Sequence, residues 1–320
     1  MTDSPSPFAA EWHRRGRGIG PTLKWSCSAD GPLTALDLAP ETGDVFAADE
    51  AGTLFRLDRN GRIAALTRLR EAVRVLDWSD DGRFGVAVTG ESTLHRLDYD
   101  LQSVWKINLP EVCISAAIAP YGTHLVAGLA NGRNLVFSEH KQRECEFETV
   151  RPLAHLKLSA GTPLIVGAAE HNLLCCHLLT GEEVWQQKLW SNAGGFTMTG
   201  DAEVIYLAAF HHGVQTFDAE GQNIGAYVVE GTVSRVSSSF EAQRLIAATL
   251  ERQLYWLDVD GQMLWASEAP DDVSVVRCDP LGEWAVCGFD SGHITRLDWA
   301  EQVQTAELDE DGDDDEDIDD

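Results

Sequence analysis

The chain has 320 residues and a formal net charge of −28, which arises from 52 acidic and 24 basic side chains. A surface of this charge repels nucleic-acid phosphates and anionic membranes, so the composition argues against both as partners and favours cationic ones. Residues 1–20 lack the apolar core of a signal peptide, and the chain nowhere carries the run of about eighteen apolar residues that a membrane helix needs. We therefore expect a cytoplasmic protein.

The N-terminal residues differ in composition from the rest of the chain. Residues 1–21 contain Ser-Pro-Ser-Pro and the arginines Arg14, Arg15 and Arg17, which predicts a disordered arm. Residues 22–26 read as a β-strand, because Trp25 starts a column of tryptophans spaced by eighty residues: Trp25, Trp105, Trp185 and Trp265. We expect these tryptophans to pack between repeats and this strand to complete the last repeat. Residues 302–308 are the alternative for that position.

From residue 33 onward the sequence repeats every forty residues, seven times and without insertion. One repeat contains four strand-like segments, at residues 73–78, 83–89, 93–98 and 103–109, separated by turns of Gly, Asp or Ser. No helical segment joins the repeats, so each is a four-stranded antiparallel sheet. A period of this length is typical of propeller blades. The sequence predicts an all-β fold: a single seven-bladed β-propeller of four-stranded antiparallel blades, closed by the N-terminal strand.

An acidic column accompanies the repeat, formed by Asp58, Asp98, Asp218, Asp258 and Asp298. Each aspartate follows an apolar residue and precedes a turn, so the five carboxylates are spread around the ring, too far apart to share one substrate. We interpret them as structural groups that cap the adjoining turns. A second charged column lies on the innermost strands and contains Asp37, Asp77, Lys157 and Arg277. Blades seven and one are neighbours in a closed ring, so we expect Arg277 and Asp37 to form an ion pair across the closure. A binding site in the central channel is the alternative.

Two motifs resemble known propeller families. The Asp-x-Asp-Gly-x-x-x-Trp sequence at residues 258–265 resembles the blade motif of quinoprotein-type, pyrroloquinoline-quinone-like (PQQ-like) repeats. The segments at residues 78–82 and 119–122 resemble WD-repeat proteins, although the Gly-His and Trp-Asp dipeptides of that family are missing from the expected places. The resemblance covers roughly residues 22–308 and implies a fold rather than a reaction.

The cysteines and histidines that could carry chemistry are better explained as structural or surface residues. The quinoprotein resemblance implies a disulfide between adjacent cysteines, but Cys175 and Cys176 fall inside a strand, where neighbouring side chains point to opposite faces. His211 and His212 offer two metal ligands without a third. The sequence contains no nucleophile elbow, phosphate-binding glycine loop or H-E-x-x-H motif. We expect no catalytic residues, no metal and no cofactor.

Residues that break the repeat are the best candidates for function. Loops that join blades and loops between the second and third strands share one face of a propeller, and Trp190, Phe210 and Leu250 interrupt its polar columns in blades four to six. Together with His211, His212, Arg252 and Phe289, they form a predicted partner-binding patch. The alternative is that Trp190 folds back onto its blade and that Phe210 packs beneath the histidines.

The sequence thus favours a non-enzymatic protein-interaction scaffold of three parts: residues 1–21 as an arm, residues 22–308 as the propeller and residues 309–320 as a disordered acidic tail. Eleven of the fourteen residues from Glu307 to Asp320 are acidic. An acidic chaperone or decoy that binds basic proteins through this tail is therefore the alternative function, and a quinone-dependent oxidoreductase is a less favoured third. The expected partners are proteins, with basic ones favoured by the charge, and the oligomeric state stays open.

Overall fold

A computed structural model describes residues 11–300 of the chain. Within the described residues, six antiparallel sheets of four strands and one of five surround a central axis, and the strands of each blade follow one another from the axis outward. Blades one to three contain β3 (Leu33–Ala39), β4 (Asp44–Asp49), β5 (Thr53–Leu57), β6 (Ile63–Arg68), β7 (Val73–Trp78), β8 (Phe84–Thr89), β9 (Thr93–Asp98), β10 (Ser103–Asn108), β11 (Cys113–Ile118), β12 (His124–Leu129), β13 (Arg133–Ser138) and β14 (Arg143–Glu148).

Blades four to six contain β15 (His155–Leu158), β16 (Leu164–Ala168), β17 (Leu174–Leu178), β18 (Glu183–Gln187), β19 (Gly195–Met198), β20 (Val204–Ala208), β21 (Val214–Asp218), β22 (Asn223–Tyr227), β23 (Val233–Ser238), β24 (Arg244–Thr249), β25 (Gln253–Asp258) and β26 (Met263–Glu268). Blade seven contains β27 (Val273–Cys278), β28 (Trp284–Phe289) and β29 (His293–Asp298), and its fourth strand is β2 (Thr22–Ser28). The predicted seven-bladed propeller is confirmed, because β2 pairs antiparallel with β29 and closes the ring. The alternative closing segment, residues 302–308, lies outside the described residues.

The core lies between neighbouring blades rather than at one centre. Each cluster of buried apolar side chains combines residues from two adjacent sheets, as in the cluster of Trp256, Phe289 and Trp299 from blades six and seven. A blade is apolar on both of its faces because a neighbour covers each one, which explains strands such as β4 that are buried along their whole length.

Three of the repeated tryptophans join one blade to the next through a side-chain hydrogen bond, between blades seven and one, two and three, and four and five. Their indole Nε1 atoms donate to backbone carbonyls at 2.7–3.0 Å, in the pairs Trp25–Arg59, Trp105–Glu139 and Trp185–Ala219. Trp265 differs, since its Nε1 donates to the carbonyl of His13. The repeated aspartates act locally: one carboxylate oxygen of each accepts a backbone N–H from the adjoining turn, in Asp58, Asp98, Asp218, Asp258 and Asp298.

Polar side chains of the first strands fasten the blades around the axis. The Asp37 carboxylate accepts the Trp78 N–H of the next blade at 2.6 Å, and Asp77 accepts the Ile118 N–H at 2.8 Å. Arg277 Nε lies 2.6 Å from the remaining oxygen of Asp37. The predicted ion pair therefore exists and links the last blade to the first.

Residues 11–21 do not form the disordered arm that the composition predicts. Residues Trp12–Arg14 form a 3₁₀ helix, and β1 (Arg17–Gly18) pairs with β26, adding a fifth strand to blade six. Trp12 is buried against Trp265 and Phe289, and this contact is the physical reason for the order. Residues 1–10 of the predicted arm and the predicted tail lie outside the described part of the chain.

Candidate interaction surface

The loop face is the side of the ring formed by the loops that join blades and by the loops between second and third strands. Large apolar side chains stand exposed on it in consecutive blades. Trp190, in the loop from blade four to blade five, is 84% exposed, and Val150 and Val228, before and after it in the ring, are 79% and 94% exposed. Leu250 on blade six is 60% exposed. Lys188 Nζ lies 4.8 Å from the centre of the Trp190 ring, on the same surface.

Several predicted patch residues meet around Thr232, in the loop that leads into blade six. The Thr232 hydroxyl lies 3.3 Å from Nδ1 of His211. The backbone carbonyl of Thr232 accepts the Leu250 N–H at 2.9 Å. Phe210 exchanges two backbone hydrogen bonds of 3.1 Å with Val233. The structure thus brings Phe210, His211 and Leu250 together, with Phe210 half-buried between the blades.

A carboxylate completes this loop junction. Glu251 accepts both the N–H and the hydroxyl of Thr232 at 2.8 Å. These two hydrogen bonds favour the ionised form and lower the pKa of Glu251 to about 2. A fixed negative charge therefore lies beside the apolar side chain of Leu250.

The backbone of blades four and five departs from the pattern of the other blades at the same place. In the other five blades, the residue after the second strand donates its N–H to the loop that enters its own blade, in the pairs Glu50–Pro32, Gly90–Ala72, Ala130–Val112, Leu250–Thr232 and Asp290–Asp272. In blade four, His171 pairs with Asn192 instead, and in blade five Phe210 pairs with Val233. Both of these loops reach forward to the next blade. The loop of blade two does so as well, since the Glu91 carbonyl accepts the Cys113 N–H at 2.8 Å, but there the Gly90–Ala72 bond is kept. Phe210 adopts a φ of 49°, a left-handed conformation that a bulky side chain rarely takes.

Phe289 does not belong to the surface, and its assignment to the partner-binding patch is wrong. It is the last residue of β28, it is fully buried, and its ring packs edge-on against Trp12. Its position is buried in every blade, by Asp49, Thr89, Leu129, Ala169, Ala209, Thr249 and Phe289. A column-wise comparison of these positions contains the signal that places Phe289 in the core.

The two remaining residues of the predicted patch, Arg252 and His212, are exposed and do not belong to the group around Thr232. Arg252 forms an ion pair with Asp272 at 2.7 Å on the loop face. His212 is exposed beside His211, and residues 11–300 contain no group of three His, Cys, Asp or Glu side chains arranged to hold a metal ion. The sequence prediction missed Val228. The signal was present, since Val228 is an apolar residue in a column that otherwise contains Ser28, Arg68, Asn108, Glu148, Lys188 and Glu268.

The adjacent cysteines are core residues. Cys175 and Cys176 are buried free thiols, and burial raises their pKa values to about 12 and about 11. Both side chains are therefore neutral thiols at physiological pH, a form with low nucleophilicity.

These features define a seven-bladed β-propeller with a distinct loop face on blades four to six. No family model matches the chain, and no curated protein matches it. Among solved structures, it is similar to the β-propeller domain of Cps50 (Swd1) from Myceliophteria thermophila, with a TM-score of 0.74 at 15% sequence identity. The similarity covers 87% of this chain and 99% of that one and shows the shared fold. Among residues 11–300, no helix has the length and apolar character that a membrane crossing requires.

Proposed function

We propose that this propeller is a non-enzymatic protein-interaction scaffold that binds its partner through the loop face of blades four to six. The observation that carries the proposal is the exposure of Trp190. A tryptophan that leaves 84% of its surface in water, with exposed valines in the inter-blade loops before and after it, offers apolar surface that a partner can bury. Tryptophan is also enriched among the residues that dominate binding energy in protein interfaces.

A scaffold role is consistent with the rigidity of the ring. Its blades are joined by hydrogen bonds at the inner strands and at the outer tryptophans, so the loops sit on a rigid support. A preorganised surface loses little conformational entropy on binding. The residues that break the repeat here are mainly apolar, and they act by burial rather than by bond making.

The charges around the patch favour a basic partner. The loop face of blades four to six carries the exposed carboxylates Glu170, Glu230 and Glu251. Lys188 contacts the Trp190 ring, and Arg17 lies 3.8 Å from Glu230, so of the three Glu170 and Glu251 are the carboxylates without a cation in contact among the described residues. Cationic groups that flank an apolar anchor would meet these carboxylates, which speeds association and selects against acidic partners. We propose a partner segment with an apolar residue between basic ones.

Affinity capture with Trp190→Ala protein tests the proposal. The matched control is Tyr121→Ala, which removes another exposed aromatic side chain, 61% exposed, from the opposite face. We expect Trp190→Ala to lose the proteins that the unaltered chain and Tyr121→Ala both capture, while all three melt at the same temperature. Equal capture by all three proteins would contradict the role of the loop face.

The acidic tail is the alternative binding element, and it lies outside the described residues. Deletion of residues 307–320 separates the two functions. If the tail binds basic proteins as a chaperone or decoy does, the deletion removes capture and Trp190→Ala preserves it. The loop-face proposal expects the reverse.

A further inference from the structure

The central channel of the ring contains a cavity of about 300 Å³ that opens toward the loop face. The first strands of all seven blades line it. Its basic lining residues are Arg74, His155, Lys157, Arg235 and Arg277, and Asp77 is the single acidic side chain among its described lining residues. This basic lining stands out in a chain with a formal net charge of −28.

Arg235 is held in the cavity by backbone carbonyls from three blades. Its Nε donates to Ser274 at 2.6 Å, and its Nη1 donates to Gly194 at 3.2 Å and to Ser234 at 2.8 Å. Burial lowers the pKa of this guanidinium. The Asp290 carboxylate, which lies beyond ion-pairing distance, raises the pKa, and the nearby Arg277 lowers it. Within residues 11–300 Arg235 forms no ion pair, so a half-buried cation is fixed in position without an anion in contact.

Two further cations reach the cavity from other sides. Arg74 belongs to blade two and is exposed, and Lys157 belongs to blade four and is half-buried. Neither side chain makes a hydrogen bond or an ion pair within residues 11–300, although the charge of Lys157 lowers the pKa values of the nearby Asp77 and Asp80 carboxyls. Arg277 differs, since Asp37 neutralises it at 2.6 Å. Cations without a contacting carboxylate among the described residues therefore face the cavity from blades two, four and six.

The remaining lining leaves room for a ligand and offers it polar contacts. A Cβ atom added to Gly195 would have no other atom within 4 Å, so the wall is open beside blade five. His155 stays neutral at physiological pH, because burial and the nearby Arg235 lower its pKa to about 4. Burial and the neighbouring Asp37 carboxylate raise the pKa of Asp77, whereas Lys157, the Ile118 N–H and Arg277 act in the opposite direction.

We propose that this cavity binds a small polyanion, a molecule with two or more phosphate or carboxylate groups, held by Arg74, Lys157 and Arg235. Its size falls at the lower end of small-molecule pockets, which begin at about 300 Å³. Three cations on separate blades match several anionic groups better than one. Guanidinium groups bind phosphate and carboxylate oxygens through charge-assisted hydrogen bonds, which are stronger than neutral ones.

Titration calorimetry with inorganic pyrophosphate and with citrate tests this site. The variants are Arg74→Gln, Lys157→Gln and Arg235→Gln, and the control is Arg83→Gln, which removes an exposed arginine from the opposite face. We expect one bound anion per chain, a dissociation constant raised about tenfold or more by each channel substitution, and a change within about twofold for the control. Preference for pyrophosphate or for citrate identifies the anionic group.

Two of the three channel variants should fold even if the third does not. Arg235→Gln removes hydrogen bonds between blades, but the side chains of Arg74 and Lys157 form no hydrogen bonds within the described residues, so their variants keep the fold and report on binding alone. The proposal is overturned if neither anion binds at millimolar concentration, or if Arg83→Gln weakens binding as much as the channel variants do. Trp190→Ala should leave anion binding intact, which separates this site from the loop face.

Discussion

The ion pair between Arg277 and Asp37 joins blade seven to blade one, and its neutralisation should weaken the ring. Asp37 is almost fully buried, so Arg277→Gln leaves its carboxylate with the Trp78 N–H as its remaining partner. We expect the free energy of unfolding to fall by about 2 kcal/mol, the range for a lost charge-assisted hydrogen bond in a partly buried site. Denaturant unfolding followed by tryptophan fluorescence measures this loss.

The matched control for that prediction is Arg252→Gln. Arg252 also forms an ion pair, at 2.7 Å from Asp272, but both side chains are about half exposed and water screens them. Its substitution should leave stability nearly unchanged. Equal losses of unfolding free energy for the two variants would contradict a specific contribution of the Arg277–Asp37 pair to ring closure.

Individual residues could be predicted from the sequence where they obey the repeat. The tryptophan column predicted contacts between blades, and Cys145 shows why the column tolerates substitution: its thiol donates to the Leu179 carbonyl at 3.1 Å, where an indole would donate in other blades. Phe289 was wrongly assigned to the patch because it is adjacent in sequence to the loop after the second strand of blade seven. Burial depends on which way a side chain points from its strand, and Phe289 points into the core.

At the scale of elements, the N-terminal arm, residues 11–21, should stabilise blades six and seven by packing against both. The Trp12 carbonyl accepts a hydrogen bond from the Ser267 hydroxyl, and its ring is buried beside Trp265. Trp12→Ala should therefore lower the free energy of unfolding by about 3 to 5 kcal/mol, the usual cost of removing a buried aromatic ring. Chemical denaturation measures the loss, and hydrogen exchange should show faster exchange in β26.

Trp190→Ala is the control for that prediction, because it removes the same side chain from an exposed site. It should change stability little. If Trp12→Ala unfolds at the same denaturant concentration as the unaltered chain, the arm covers blade six without stabilising it.

The arm could not be predicted from the sequence for a physical reason. Its strand β1 has two residues, too few for any alternation of apolar and polar side chains, and it pairs with Trp265 and Ala266, far away along the chain. Its order depends on this long-range contact rather than on local propensity. The same holds for the loops of blades four and five, whose length follows the repeat while their hydrogen bonds do not.

At the scale of the whole molecule, the forty-residue period determined the fold because each blade needs a neighbour on both faces. Seven such units bury their faces only as a closed ring, and closure requires a fourth strand for blade seven. The position of Trp25 in the tryptophan column predicted that strand, and β2 supplies it through its pairing with β29. The repeat also predicted the charges of Asp37 and Arg277 at the axis, and they pair there. Arg235 could not be placed in the channel from the repeat, because its contacts with Gly194 and Ser274 come from two other blades.

Closure by β2 makes a prediction about the two ends of the chain. A chain that begins at residue 29 lacks β2, so blade seven keeps three strands and β29 presents unpaired backbone groups along its length. Exposed strand edges pair with other chains, so this protein should form oligomers in size-exclusion chromatography with light scattering. Its melting temperature should also fall, but the missing Trp12 contributes to that loss. Trp12→Ala in the full chain, which keeps β2 and should elute as the unaltered chain does, is therefore the control. A chain that ends at Ala300 keeps β2 and should remain as stable as the full chain, with the same elution behaviour. Oligomers from the second truncation but not from the first would place the closing strand after residue 300 and contradict closure by β2.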